Sequence, residues 1–421
     1  MKDLRLSNEL GAKQLARESA ERLIKIETIV NLFGFLCVLF FMPTVFASDY
    51  ESQKHFSLYR TPNSLLISNK TKSFEAYLNG YFMLDAFKIP ATIPQLDSGY
   101  NVPFAQLCLD GTALHSWDYS LRYDFSSMDL KEAYVSYTGW QDKYLKAGQF
   151  QPDISLSNWA EDTQTDFLDL SLPVDLFVPG YSRGLEIGIN NSQFIFHTSI
   201  YSAGTQDYVS GRMPLGMAAR LIYSPIHTDT RAIDLGLSAW GSWPDSKKTT
   251  NYSEDPEIET HKEGAILNTG SITNIVNTWN GGLEAAYVYG PWNIQTEYLR
   301  TLVRRNIDKN LQFDGYHILG SYFLTGESMK YDFPGGGFAG ISTINNKRLG
   351  AWQILARLSY LNLNDKDISG GKETNATLGL NWYVNQFIMF KANYIRVMAQ
   401  APKSGNNTTG NIFALRLQLQ F

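Results

Sequence analysis

Six basic residues stand at alternate positions in segments where hydrophobic residues fill the places between. They are Arg122, Lys146, Arg220, Arg357, Lys391 and Arg416. Because successive side chains of a β-strand point to opposite faces, each base would share its face with polar neighbours. Guanidinium groups match phosphate oxygens in a two-pronged geometry. Bases that converge on one polar surface would therefore bind small anions, and these six residues are the candidates.

Acidic residues fall on the same predicted faces as these bases. They are Glu75, Asp85, Asp110, Asp118, Asp124, Glu132, Glu186, Asp234, Glu284 and Glu297. Opposite charges on facing strands pair readily, so each arginine has a second interpretation as the partner of a neighbouring carboxylate. Segment 152–180 adds more acids and no Lys or Arg, and its candidates for a narrow section are Glu161, Asp162, Asp166 and Asp169. An anion that paused there would be repelled.

The clearest strand lies at residues 117–125, with the sequence WDYSLRYDF. Aromatic and aliphatic residues take the odd positions, whereas Asp118, Ser120, Arg122 and Asp124 take the even ones. An aromatic face opposite a charged face is typical of a barrel wall between lipid and water. A soluble sandwich would show the same alternation, but it would favour Val and Ile on the apolar face.

The same reading predicts sixteen strands, an even number that suits a barrel with a water-filled interior. They are expected at 74–87, 102–111, 116–125, 129–139, 142–151, 181–190, 193–203, 216–225, 231–241, 280–289, 291–305, 311–324, 347–361, 373–383, 386–399 and 410–421. Short turns alternate with long loops, except that 126–128 is too short for an outer loop and 325–346 is too long for a periplasmic turn. The prediction is an all-β fold, a 16-stranded antiparallel transmembrane β-barrel with long extracellular loops and short periplasmic turns.

The amino-terminal region resembles an export signal. Residues 28–46 are almost wholly apolar, follow Arg22 and Lys25, and precede Ala47, which fits a small-residue cleavage site. The alternative is an uncleaved membrane helix. We expect residues 1–47 to be a signal peptide, 48–71 a periplasmic tail, with a small plug as the alternative, and 72–421 the barrel. Cys37 would leave with the signal, so Cys108 would have no partner for a disulfide within the chain.

The carboxyl-terminal strand ends FALRLQLQF, which alternates cleanly and stops at Phe421. An open strand edge in lipid would leave backbone donors unsatisfied. The last strand must therefore pair with the first, and Phe421 is the predicted barrel-closing terminal residue, with its side chain toward lipid. A composition of 14% aromatic and 18% charged residues with a formal net charge of −5 agrees with a membrane barrel and argues against nucleic-acid binding.

Five segments carry a family resemblance. They are LKEAYVSY at 130–137, KAGQFQP at 146–152, YFLTGESMKY at 322–331, GAWQILARLSY at 350–360 and TLGLNWYVN at 377–385. In this order they resemble the phosphate-selective porin O/P family of sixteen-stranded trimeric outer-membrane channels. The resemblance implies a homotrimer in the bacterial outer membrane, in contact with lipid and lipopolysaccharide and inserted by the barrel-assembly machinery. It also implies a channel for passive diffusion of small solutes, with anions such as phosphate favoured.

The chain departs from that family at the second strand. Ala105, Gln106 and Cys108 stand where an arginine-bearing family strand would place its charges. Together with the acidic segment 152–180, this departure keeps a general, weakly selective or cation-leaning porin open as the alternative.

The sequence has no motif for catalysis, metal binding or a cofactor, and we expect none of these. Its six histidines are widely spaced, and the glycine run at 335–337 lies in a link and not between a strand and a helix. A barrel hydrolase would need a Ser or Asn cluster near an inward-facing histidine. A purely structural or adhesive barrel would have a lumen filled with side chains, which sixteen strands argue against.

Overall fold

The computed structural model describes residues 56–60, 64–204, 213–260, 265–341, 343–400 and 407–421. The predicted signal peptide, residues 1–47, lies outside these ranges. Within the described part no helix is long and apolar enough to span a membrane. The two short helices are α1 (Leu156–Trp159) and α2 (Leu172–Phe177), with a 3₁₀ turn at Asp162–Gln164 between them.

Sixteen antiparallel strands form a closed ring. Each strand pairs with the ring strand before it and the ring strand after it in the chain, and the last pairs with the first. They are β3 (Phe74–Lys88), β5 (Ala105–Ala113), β6 (Trp117–Asp124), β7 (Asp129–Trp140), β8 (Lys143–Phe150), β9 (Ser182–Asn190), β10 (Phe194–Ser202), β11 (Leu215–Thr228), β12 (Arg231–Trp243), β15 (Ile275–Tyr289), β16 (Trp292–Arg305), β17 (Leu311–Phe323), β20 (Ala351–Asp365), β21 (Ile368–Tyr383), β22 (Ile388–Gln400) and β23 (Asn407–Gln420).

The remaining strands of the described residues are short and lie outside the ring. They are β1 (Phe56–Arg60), β2 (Leu65–Asn69), β4 (Gly99–Asn101), β13 (Ser253–Glu254), β14 (Leu267–Asn268), β18 (Met329–Asp332) and β19 (Gly337–Ile341).

The sequence prediction of the fold is confirmed, because all sixteen predicted segments coincide with ring strands and differ only at their ends. Period-two alternation was a sufficient signal because one face of each strand contacts lipid and the other faces the lumen. The short links, such as 141–142 and 290–291, lie at the end of the barrel that carries the carboxyl terminus, here called the turn end. The opposite end is called the loop end.

The first and last ring strands close the barrel. Pairing runs from Phe413 with Lys88 to Gln420 with Tyr81, and Phe421 exchanges two backbone hydrogen bonds of 3.0 and 3.1 Å with Gly80. The Phe421 ring packs beside Phe82 and Ala105 and is only 5% exposed. The side chain lies on the same side of the last strand as the outward-facing Phe413 and Leu415, and neighbours on the wall cover most of its ring.

The segment before the ring contains structure that its weak alternation did not indicate. β1 and β2 form a hairpin, and β2 pairs with the first residues of β3, from Leu65 opposite Leu78 to Ser68 opposite Glu75. Because β23 ends opposite Tyr81, β2 continues the same edge of β3 toward the turn end. The hairpin thus covers backbone groups that β23 is too short to reach.

The outer face of the wall is apolar. Leu283, Leu378 and Phe413 each expose more than half of their side-chain surface. Aromatic pairs collect at the turn end, among them Trp117 with Tyr137 and Trp292 with Tyr322, whose ring centroids are 5.0 and 4.5 Å apart. A belt of amphipathic rings at this level suits the boundary between hydrocarbon and water.

Long segments between ring strands enter the lumen where the structure describes them. The constriction loop (residues 152–180) and the acidic loop (described at residues 244–260 and 265–274) enter from the loop end, and the insert (described at residues 324–341 and 343–350), which contains β18 and β19, enters from the turn end. They are held to inward-facing side chains on many strands; Ser171 contacts His317, for example, and Thr377 donates to Glu257.

These segments build a hydrophobic core inside one side of the barrel. Buried apolar side chains of the loops, including Leu172, Val174 and Ile258, pack against inward-facing residues of the ring strands from β10 to β23. Wall members that are fully buried include Phe313, Leu361, Ile395 and Ile412. The insert adds a second cluster at the turn end through Met329, Tyr331 and Phe338. This side of the lumen is therefore packed like a protein interior.

Candidate permeation pathway

A cavity of about 960 Å³ runs along the other side of the lumen, between the constriction loop and the wall formed by β3, β5 to β8 and His197 of β10. We call it the passage. Its lining extends from Thr112 and Thr138, near the turn end, to Asp175 and Gly180 in the constriction loop. A cavity of this size holds many water molecules, since one water in the liquid takes about 30 Å³.

The lining of the passage is more acidic than basic. Nine acids and four Lys or Arg residues face it. The acids are Asp110, Asp118, Glu132, Asp153, Glu161, Asp162, Asp169, Asp175 and Asp332, and the bases are Arg122, Lys131, Lys146 and Arg416. The count alone does not set selectivity, because charges beyond about 8 to 10 Å are screened at physiological salt.

Arg122 and Lys146 are the two sequence candidates at the middle of the passage. Arg122 lies on β6 and makes a two-pronged ion pair with Glu161, with Nη1 to Oε2 at 2.6 Å and Nη2 to Oε1 at 3.0 Å. Lys146 lies on β8, with Nζ 2.8 Å from Glu186 and 3.7 Å from Asp153. Each base thus joins the wall to one end of the loop segment 153–161.

Arg416 also lines the passage and pairs directly across the barrel closure with Asp85, at 2.7 Å for both of its hydrogen bonds. The two residues face each other on β23 and β3. This is the cross-strand pairing that the sequence offered as the alternative role for each arginine.

Arg220, Arg357 and Lys391 lie on the lumen face but away from the passage, in the packed side. Arg220 is fully buried, contacts Glu284 at 2.7 Å and donates to the Gly336 carbonyl of the insert at 2.8 Å. Arg357 lies 2.8 Å from Glu257 of the acidic loop. Lys391 donates to the backbone oxygen of Thr165 at 2.7 Å. These three bases anchor the entering segments and do not converge on one point.

The acidic candidates divide in the same way. Glu161 and Asp162 face the passage, and Asp162 accepts hydrogen bonds from Tyr81 at 2.5 Å and Gln106 at 3.4 Å. Asp166 lies in the packed side, where Gln353 donates to it at 2.9 Å, and burial raises its pKa to about 6. Burial also raises the pKa of Asp162, and it raises that of Asp169 well above its usual range with help from nearby Asp175.

Several functional contacts were not predicted from the sequence. The buried Glu297 accepts hydrogen bonds from Ser155 Oγ and from the backbone N–H groups of Leu156 and Ser157, at 2.7, 3.2 and 2.9 Å. This carboxylate satisfies the first N–H groups of α1 and fixes the loop at its entry. The pairing joins residues 140 positions apart, and no local pattern signals it.

Residues 325–346 are too long for a periplasmic turn because they belong to the insert. Tyr331 donates to Asp234 of β12, and the Trp159 ring of the constriction loop lies against the backbone of Gly335 and Gly337. A Cβ atom at either glycine would collide with that ring. The glycine run therefore allows close packing of the insert against the constriction loop.

A serine–histidine contact lies beside α1, as the hydrolase alternative would require. His317 is 2.8 Å from Ser171 Oγ and 3.5 Å from Ser157 Oγ. The three side chains border a cavity of only about 40 Å³ in the packed side. A space of that size holds about one water molecule, so the cavity that the three side chains share is too small for a substrate. No group of three residues suited to metal binding occurs in the described ranges.

Comparisons with known proteins agree with this architecture. Residues 78–421 match the family model for phosphate-selective porins O and P. Porin O of Pseudomonas aeruginosa is 24% identical over 409 residues, which cover 86% of this chain and 92% of that protein. An uncharacterised protein of Caulobacter vibrioides is 25% identical over 348 residues, with 77% of this chain and 68% of that protein covered.

Two solved structures show the same fold. OmpT of Vibrio cholerae superposes with a TM-score of 0.55 at 10% identity, covering 87% of this chain and all of that one. The anion-selective porin from Comamonas acidovorans gives a TM-score of 0.54 at 12% identity, covering 83% of this chain and all of that one. The first is described as expressed in the outer membrane and the second as an anion-selective porin.

Proposed function

The chain belongs to the phosphate-selective porin O and P family, and we propose that this outer-membrane porin passes small anions such as phosphate by passive diffusion through the passage. The observation that carries the proposal is the position of Arg122 and Lys146. Both are fixed on the wall at the level where the constriction loop borders the passage. Fixed guanidinium and ammonium groups at a narrow section attract small anions.

The neighbouring carboxylates determine how strong this attraction is. Lys146 lies between the carboxylates of Glu186 and Asp153, and Arg416 is paired with Asp85, so neither base presents its full charge to the passage. Lys131 also borders the passage, with Asp129 at 3.5 Å, a distance at which an exposed pair interacts weakly. The proposal therefore favours modest anion preference with rapid transit over tight anion capture.

A second function is favoured by one specific observation, the excess of acids over bases in the lining of the passage. A general, weakly selective or cation-leaning porin would follow if Glu132, Glu161 and the other carboxylates of the lining set the barrier. The loss of an arginine-bearing second strand points the same way, because Gln106 and Cys108 face the lumen there and are uncharged.

Planar bilayer recordings of the purified protein distinguish the two functions. In a KCl gradient, anion passage predicts a reversal potential displaced toward that of chloride, and added phosphate should reduce the chloride current. A reversal potential displaced toward that of potassium, with no effect of phosphate, would contradict anion passage and support the general porin.

We propose further that the protein is a homotrimer processed on export. A trimer is the form of one solved relative in fold, OmpT of Vibrio cholerae, at 10% identity and a TM-score of 0.54, and the apolar outer wall suits contact with other barrels and with lipid. Residues 1–47 would be removed, and the hairpin of β1 and β2 would remain at the turn end beside the closure. The intact mass of the purified protein should match a chain that begins at Ser48. A mass that includes residues 1–47 would contradict cleavage after Ala47. Lipopolysaccharide and the barrel-assembly machinery are the expected partners during insertion.

A further inference from the structure

The two partners of the Arg122–Glu161 ion pair differ in how they are held. The Arg122 side chain is 9% exposed and rises from a ring strand, whereas that of Glu161 is 45% exposed and belongs to a loop. Glu132, the wall neighbour of Arg122, lies farther away at 3.7 Å. The guanidinium is therefore a fixed part of the wall, and the Glu161 carboxylate is the partner that can leave.

Glu161 occupies the edge of Arg122 that recognises oxyanions. Both terminal nitrogens of Arg122 are taken by the two oxygens of one carboxylate. A phosphate presents two oxygens in a similar arrangement and can use the same two donors. A carboxylate seated there resembles a bound substrate anion and competes with it.

The rest of the constriction loop does not need to move when Glu161 leaves. Asp162 remains bonded to Tyr81 and Gln106, and Thr165 remains bonded to Lys391. Displacement is thus a change of one side chain at the border of the passage. The nearby Glu132 and Asp162 carboxylates would repel an arriving anion, which keeps its binding weak enough for release.

We propose that Glu161 is a resident competitor that sets the anion affinity of the channel, and that a phosphate-like oxyanion binds Arg122 by displacing it. This inference rests on the proposed anion passage but adds a site, its occupant and a specificity-determining residue. It accounts for an acidic loop in a channel of this family, because the loop carboxylate would limit the dwell time of anions at Arg122.

The test compares E161Q with a matched control, D118N, in planar bilayers with inorganic phosphate as the probe. Asp118 borders the same passage and pairs with Thr112 and not with a base. Glu161→Gln keeps the shape of the side chain but weakens its hold on Arg122. We expect the phosphate concentration that halves the chloride current to fall about tenfold in E161Q, equivalent to about 1.4 kcal/mol. In D118N the same concentration should change by less than about twofold, because a screened charge elsewhere on the lining acts weakly.

A variant at the other partner keeps the test independent of general charge effects. In R122K the ammonium retains the charge but lacks the planar fork, so the E161Q gain should disappear in the R122K/E161Q double variant. A difference in gel migration between heated and unheated samples shows that each variant is folded before heating. Equal shifts in E161Q and D118N, or a gain that survives in the double variant, would overturn the inference.

The wild-type reversal potential separates this inference from the proposed function. If the wild type favours chloride and E161Q is no more sensitive to phosphate, the inference fails and anion passage stands. If the wild type favours potassium and E161Q becomes sensitive to phosphate, the competitor role stands and anion passage by the native channel fails. If no variant responds to phosphate and the wild type favours potassium, both are refuted.

Discussion

Inward-facing residues at the loop ends of β17 and β20, such as Phe313 and Leu361, are fully buried against the entering loops. Inward-facing residues of β7, such as Glu132 and Tyr134, instead border a water-filled cavity. The same alternating wall thus supports a protein-like core on one side and a solute pathway on the other. The core holds the constriction loop in place. The loop can therefore form one border of the passage although it has no rigid support of its own.

The largest expected effect is on the packed side. Phe313→Ala removes a side chain with 0% exposure from the core between the wall and the loops. Such a change should lower the free energy of unfolding by about 3 to 5 kcal/mol. Urea unfolding of protein folded into lipid vesicles measures it.

The control for this prediction is Leu415→Ala, whose side chain is 59% exposed on the outer wall. It should cost about 2 kcal/mol, because Leu415 loses the transfer of its extra carbons from water into lipid but leaves no cavity in a packed core. Equal losses at the two positions would contradict the existence of a core inside the barrel.

A smaller effect concerns pH. Burial raises the pKa of Asp166 to about 6, above the ordinary value near 3.8 that applies in the unfolded chain. The folded protein therefore binds a proton between these values that the unfolded chain does not bind, so stability should rise as pH falls from about 7 toward 4 through this group.

The measurement is the urea midpoint at several pH values, compared with Asp166→Asn. The part of the pH dependence that belongs to Asp166 should vanish in the variant. If the variant and the wild type have the same pH profile, Asp166 does not titrate in this range. That result would argue against a water-free interior around Asp166.

The smallest expected effect is on the passage side, where the measured quantity is single-channel conductance. Ser136 faces the passage from β7, and Ser136→Trp should reduce single-channel conductance to about half by narrowing it. Leu237→Trp adds a similar ring on the outer wall, where Leu237 is 54% exposed, and should leave conductance unchanged. A loss of conductance in both variants would indicate damage to the fold and not obstruction of the passage.

The strands could be predicted from the sequence because alternation is a local property that each segment displays by itself. The lumen-facing sides of Arg122, Arg220 and Arg416 follow from the same alternation. The loop partners of Arg122 and Arg220 do not, because Glu161 and Gly336 arrive from segments that have no period-two pattern, whereas Arg416 pairs with Asp85 of a ring strand. The packed side left one readable trace in YLNLND at 360–365, where Leu361 and Leu363 occupy inward positions that a water-filled barrel would make polar.

Cysteine accessibility from solution tests the division of the lumen most directly. In a Cys108→Ala background, Tyr134→Cys places a thiol at the passage and Ser359→Cys places one at an inward position with 0% exposure on the packed side. We predict that a charged methanethiosulfonate reagent reduces the current of the Tyr134→Cys channel and leaves that of the Ser359→Cys channel unchanged. Equally fast reaction at both positions would contradict the account, because it would mean that water and solutes reach both sides of the barrel.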